Sequence, residues 1–242
     1  MVVPIPPVTI SCRIIALVQE RNSLFAYPLD HLTDTIRETG FVCKCCGQCC
    51  TRKYNGHVFL LERDSATART IDPASLEPAP DPEFCDQNGI FYVSGYAVRT
   101  LGDAAGSCWF LENGRCRIYD RRFSVCRVYP YMLRRGVDEY GRVDWRHFGR
   151  LFLHGALQQE IPIEDCRRIA RETREYENAA LTHEIAFLEF MRDYFAEHGL
   201  HHDPERYGQE VRRIPTGKPV TVMVYHDQDL EEHIIQRGSG AS

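Results

Sequence analysis

Ten residues in one stretch, Phe41-Val-Cys-Lys-Cys-Cys-Gly-Gln-Cys-Cys50, hold five cysteines, four of them spaced Cys-x-x-Cys-x-x-Cys-Cys at Cys43, Cys46, Cys49 and Cys50. Thiolates three residues apart can bend round a soft cation while the turn's free amides point at the sulfurs. Gly47 gives that turn a permissive backbone. The first three cysteines repeat the spacing that opens a bacterial ferredoxin run, which leans toward iron; structural zinc more often takes two separated Cys-x-x-Cys pairs. Neighbouring Cys49 and Cys50, read as extended chain, would point to opposite sides, so one of them is expected to serve a second site.

A second cysteine-rich stretch runs from Cys108 through Cys116 and Cys126 to Tyr131. Asn113-Gly114 is a hairpin turn signal between Trp109–Leu111 and Arg117–Tyr119, and it predicts Cys108 and Cys116 face to face across the hairpin. A further hairpin is expected around Asp138–Gly141.

The chain has 242 residues, 43% hydrophobic and 26% charged, enough to bury a core. Its net charge of −5 argues against nucleic acid as a partner. The charge is uneven: residues 115–150 carry ten arginines and four acids, a local +6. That basic segment is the expected docking face for a protein, either a redox partner or a protein substrate. Eleven cysteines, an odd number with no export signal, point to reduced, metal-holding thiols and a cytoplasmic protein rather than a disulfide framework. The apolar run Ile10–Val18 is too short to span a bilayer, so no membrane role is expected.

The elements that must position the cysteines are read as follows. A buried strand is predicted over Thr9–Val18, after an extended proline-rich arm, and a short helix over Asp30–Thr39 stopped by Gly40. A strand at Val58–Leu61 precedes a surface excursion over 64–89, rich in proline, with Cys85 inside it. Ile90–Arg99 reads as a strand. A long helix should run from 163 to 198, with Gly199 as its stop and its aromatic face as packing core. A turn at His201-His202-Asp203-Pro204, a strand over Pro219–Tyr225 and a flexible tail at 238–242 complete the chain. His147 and His154 read as satisfied histidines rather than ligands. The fold class expected is α+β: short antiparallel strands and hairpins round the cysteine site, with one long C-terminal helix. The expected organisation is 1–39 as arm, strand and helix, 40–170 as the cysteine-cluster domain, and 171–242 as a helical extension with a terminal strand. Gly-rich phosphate loops, a Gly-x-Ser-x-Gly elbow and His-Glu-x-x-His are absent from the sequence.

With both stretches in view, the chain resembles the YkgJ-like CxxCxxCC family, described as zinc- or iron-chelating and often labelled iron–sulfur oxidoreductases. The resemblance covers roughly residues 40–170. It rests on Phe41-x-Cys43-x-x-Cys46-Gly47-x-Cys49-Cys50, Cys108-x-Phe110-Leu111, Cys116-x-Ile118-Tyr119, Arg122-x-x-x-Cys126-Arg127-x-Tyr129-Pro130 and the later Cys166. This chain differs in having Phe123 where proline is usual, Arg167-Arg168 after the last cysteine, and an extra cysteine at position 45. The resemblance implies eight ligand positions, Cys43, Cys46, Cys49, Cys50, Cys108, Cys116, Cys126 and Cys166, sufficient for one or two [4Fe–4S] clusters. Zinc is the alternative metal, since thiolates suit both. It implies a redox or electron-relay protein, or an accessory to a redox or maturation system. The family's flagellin lysine methylase branch leaves a cluster-dependent methylase as an alternative, and a zinc-stabilised binding module is a third. Arg117, Arg122 and Arg127 lie in the ligand loops, where a cation would favour a cluster's more negative, reduced state.

Overall fold

A computed structural model describes residues 9–137, 143–147 and 154–236, with the backbone alone for 134–137 and 143–147. In chain order the helices are α1 (Ile10–Leu24), α2 (Leu29–Thr39), α3 (Arg52–Asn55), α4 (Glu62–Ile71), α5 (Ser124–Val128), α6 (Ile163–His198) and α7 (Pro204–Arg213). The strands are β1 (Phe59–Leu60), β2 (Leu76–Pro78), β3 (Phe84–Cys85), β4 (Phe91–Val93), β5 (Tyr96–Val98), β6 (Leu111–Glu112), β7 (Arg115–Cys116), β8 (Leu133–Val137), β9 (Val143–His147), β10 (Val220–His226) and β11 (Asp229–Ile235). The α+β class, the short antiparallel strands and the long helix over 163–198 are as the sequence predicts. Among the described residues no helix is long and apolar enough to cross a membrane.

The chain packs into two compact units. One draws on Met1–Asn22, Asp81–Ser94 and Leu181–Ser242. Its four-stranded sheet has the order β11-β10-β4-β3; β10 runs parallel to β4 and antiparallel to β11. Against it lies the aromatic half of α6: Phe187 meets Phe84 and Tyr225 at ring separations of 5.9 and 5.6 Å, and Phe195 meets Tyr92 at 5.1 Å. Phe187, Leu188 and Met191 are fully buried, so this face is packing core, as its spacing predicts.

The other unit, Ser23–Pro80 with Gly95–Ala180, carries the cysteine stretches. Its sheet β1-β5-β2 is antiparallel, and β6-β7 and β8-β9 are two-stranded ladders. The β8-β9 register, Val137 opposite Val143, agrees with the second predicted hairpin, whose turn at 138–142 lies outside the described residues, as do the N-terminal arm and the 238–242 tail.

Four local readings change. The predicted strand at Thr9–Val18 is α1: its β-branched residues argued for a strand, yet Ile14, Leu17, Glu20 and Leu24 are the buried ones, a helical period. The excursion over 64–89 is ordered structure, comprising α4, β2 and β3, with Asp64, Ser65 and Ala68 buried on α4. The strand over 90–99 breaks into β4 and β5 at Ser94-Gly95, and the two halves join different sheets. The turn at His201–Pro204 opens α7, where the Asp203 carboxylate caps the Glu205 and Arg206 amides at 2.9 Å; Asp before Pro was the available signal.

Candidate metal centre

The segment that delivers the cysteines is tied at its start. α2 ends on Gly40 in a left-handed conformation, φ 52°, whose amide reaches the Ile36 carbonyl at 2.9 Å. A side chain there would strike the backbone of Gln159, so only glycine fits. Val42 pairs with Ala156 in both directions at 2.8 and 2.9 Å, and the Phe41 amide donates to the Tyr131 hydroxyl at 3.1 Å. Beyond this anchor Gly47, φ 75°, turns the chain into a single 3-10 turn over Gln48–Cys50.

Three further elements bring up the remaining thiols. The Cys108 amide donates to the Cys50 carbonyl at 2.8 Å, and Thr51 bridges to Ser107, so the two cysteine stretches lie side by side. The β6-β7 hairpin turns on Asn113-Gly114 as predicted, but its register sets Cys116 opposite Leu111, not Cys108. A two-residue turn at 113–114 fixes that pairing and leaves Cys108 three residues past it. Cys126 sits in α5, whose first turn is held by the buried Asp64 carboxylate; it accepts the Ser124 amide at 3.1 Å and hydroxyl at 3.0 Å.

These elements enclose one cavity of about 500 Å³. Cys43, Cys46, Cys49, Cys50, Cys108, Cys116 and Cys126 all line it, and so does Cys45, which the spacing motif skips. Cys166 does not: it is buried at the start of α6, donating to the Ile161 carbonyl at 3.7 Å. Cys85 is buried in β3, in the other unit. Cys49 and Cys50 do not point to opposite sides of the chain, as an extended segment would have them do. Both line the cavity and their thiols are neighbours, because a 3-10 turn sets successive side chains a third of a turn apart rather than on opposite faces. Among the described residues no three Cys, His, Asp or Glu side chains gather closely enough for a single ion.

Burial holds most of these thiols in the neutral form, and Cys50 is the exception. Cys50 is lowered to about 7, chiefly by its hydrogen bond with Cys49 and further by Arg122, against the cost of burial. Cys49, the other half of that pair, is pushed up. Burial raises Cys108 to about 12 and lifts Cys116 and Cys126 as well, while Arg122 pulls the last two down. Of the three arginines expected in the loops, only Arg122 lines the cavity. Its guanidinium lies 3.8 Å from the Tyr119 ring centre, its Nε donates to the Tyr119 carbonyl at 2.9 Å, and no carboxylate partners it among the described residues. Arg117 instead pairs with Asp72 at 3.3 Å, and Arg127 donates to the Arg122 carbonyl at 3.2 Å.

One wall is aromatic. Tyr129 stacks on His154 within 13°, and their hydroxyl and Nε2 share a 2.7 Å hydrogen bond. Phe41 stands edge-on to both and Tyr54 edge-on to His154. His154 is therefore a satisfied histidine, as expected, yet it borders the cavity, and burial lowers its pKa. The tertiary pairing of Val42 with Ala156 is what brings it there, and local sequence carried no signal for it. Side chains of His147, Arg134, Arg135, Arg142, Arg146 and Arg150 lie outside the described residues.

Residues 42–147 match the CxxCxxCC family model, whose description reads "Putative zinc- or iron-chelating domain". No curated protein and no solved structure matches the chain.

Proposed function

With residues 42–147 assigned to the CxxCxxCC zinc- or iron-chelating domain, we propose that the cavity holds an iron–sulfur cluster and that the protein serves in redox relay. The supporting observation is the cavity itself: eight thiols line about 500 Å³. A zinc ion closed by four sulfurs at ~2.3 Å needs a point, not a chamber. A cluster places each thiolate on a different iron and therefore suits donors spread round a wall. Cys43, Cys46, Cys49, Cys50, Cys108, Cys116 and Cys126 supply donors of the right softness.

When bound, the cluster supplies one-electron chemistry. The chain's own residues do the rest. Arg122 presents a positive charge to the thiols, which favours the more negative state. Tyr119 borders the Cys43 thiol. Phe41, Tyr54, Tyr129 and His154 screen the sulfurs from water on one side. Arg115, Arg121 and Arg127 are exposed beside the site, and they begin the basic segment that would dock a protein partner.

The test is iron and acid-labile sulfide, with a visible spectrum, on protein purified without oxygen. Near-equal iron and sulfide with a brown absorbance that bleaches on reduction is the expected result. Zinc without sulfide would overturn it and leave a zinc-stabilised binding module. The methylase alternative predicts that S-adenosylmethionine raises the melting temperature of the cluster-bearing protein; no shift counts against it.

A further inference from the structure

Eight thiols meet at the cavity, but they are not the eight that the family spacing implies. Cys166 is turned away, and Cys45 takes part. Cys45 also holds an unusual backbone, φ 51°, the left-handed region that L residues other than Asn and Asp seldom enter. A glycine would sit there without strain, yet the chain has a thiol. Its own amide donates to the Cys43 sulfur at 3.4 Å, the N–H to thiolate arrangement that a metal knuckle requires.

The eight thiols divide by the elements that carry them. Cys50, Cys108, Cys116 and Cys126 come from four separate places and are drawn together by tertiary bonds: Cys108 on Cys50 at 2.8 Å, Leu111 on Cys108 at 2.8 Å, and Leu111 opposite Cys116. Cys126 borders the other three, and Arg122 is close to Cys50, Cys116 and Cys126, as it is to Cys45. Cys43, Cys45, Cys46 and Cys49 come instead from seven residues of one loop. Cys45 borders Cys43, Cys49 borders Cys43, and Cys46 is exposed; across the division Cys49 also neighbours Cys50 and Cys126, and Cys45 neighbours Cys116. The vicinal pair Cys49-Cys50 is the seam between the sets.

We propose that Cys45 is a metal ligand and completes, with Cys43, Cys46 and Cys49, an outer four-thiolate centre distinct from an inner one held by Cys50, Cys108, Cys116 and Cys126. This rests on the cluster reading of the cavity. Each set matches the four cysteines of one [4Fe–4S] cluster, and Cys166 belongs to neither.

Metal content of the full chain, purified without oxygen, separates the cases. The wild type should carry about eight irons per chain and as many sulfides, two clusters' worth. Cys45→Ser and Cys45→Gly should each lose about half, while Cys166→Ser keeps all. The glycine variant suits φ 51° and removes the donor, so a loss of iron there, with an unchanged circular dichroism spectrum, is not a folding failure. About four irons in the wild type, or Cys45 variants that keep the wild-type content, would overturn the proposal and leave the single-cluster reading standing. A wild type with no iron at all would sink the cluster reading beneath it.

Discussion

The Asp64 carboxylate, buried on α4, accepts both the backbone amide and the hydroxyl of Ser124, at 3.1 and 3.0 Å, and so caps the helix that carries Cys126 from sixty residues away. A five-residue helix has little stability of its own, so its position depends on this cap. Arg63 Nε donates to the same Ser124 hydroxyl at 3.1 Å.

Replacing Asp64 with alanine should therefore act twice. It removes the cap and leaves the Ser124 amide without its partner, a cost of about 1–3 kcal/mol in chemical denaturation. It should also release Cys126 from its place and reduce bound metal. Metal content that stays at the wild-type level would show that α5 holds its position without the cap.

Arg122 is the ligand-loop arginine that lines the cavity, which Lys44 and Lys53 also border, and its charge, close to Cys50, Cys116 and Cys126, is expected to act on the redox potential rather than on the fold. Arg122→Gln should lower the midpoint potential by tens of millivolts, on the order of 1 kcal/mol, and Arg122→Lys should recover part of it. Potentiometry followed by visible absorbance reads this directly. An unchanged potential would mean that the guanidinium serves only to pack on Tyr119.

Glu177 on α6 accepts the Leu133 amide at 2.8 Å, and burial raises its pKa from 4.5 to about 7. The folded state thus binds this proton more tightly than the unfolded chain, and the stabilisation, no more than about 3 kcal/mol, is present below the unfolded value of about 4.5 and lost as pH rises through about 7. Glu177→Gln should flatten the fall in melting temperature between these pH values. A fall of the same size in the variant would assign it to other groups.

Gly155, φ 80°, approaches Phe41 so closely that a Cβ would enter the ring. Gly155→Ala should cost about 2 kcal/mol or more, from the left-handed backbone and from displacing Phe41 out of the aromatic wall. If the wall screens the metal, the variant should also lose iron to a chelator faster than the wild type. Equal chelation rates would remove that role from the wall.

Stripping the metal should itself destabilise the unit built from 23–80 and 95–180. Several kcal/mol of binding energy is coupled to folding in thiolate sites, which corresponds to roughly 10 °C or more in melting temperature. Differential scanning calorimetry before and after chelation checks it, and an unmoved transition would show that the cavity walls stand without the metal.

The sequence by itself determined the chemistry and the strongest local elements. Thiols at Cys43, Cys46, Cys49 and Cys50 name soft-metal donors whatever the fold, because softness belongs to the atom. The helix over 163–198 was legible from its period, α2 from Gly40, and the hairpin from Asn113-Gly114, each a property of residues close in sequence. Tertiary structure decided which thiols share a space. It turned Cys166 toward Ile161, admitted Cys45, and brought His154 to the wall through Val42 and Ala156. It also made Ile10–Leu24 a helix, where β-branched side chains locally favour a strand and burial of one helical face outweighs them. Those outcomes depend on bonds between residues up to a hundred or more positions apart, and spacing along the chain carries no record of them.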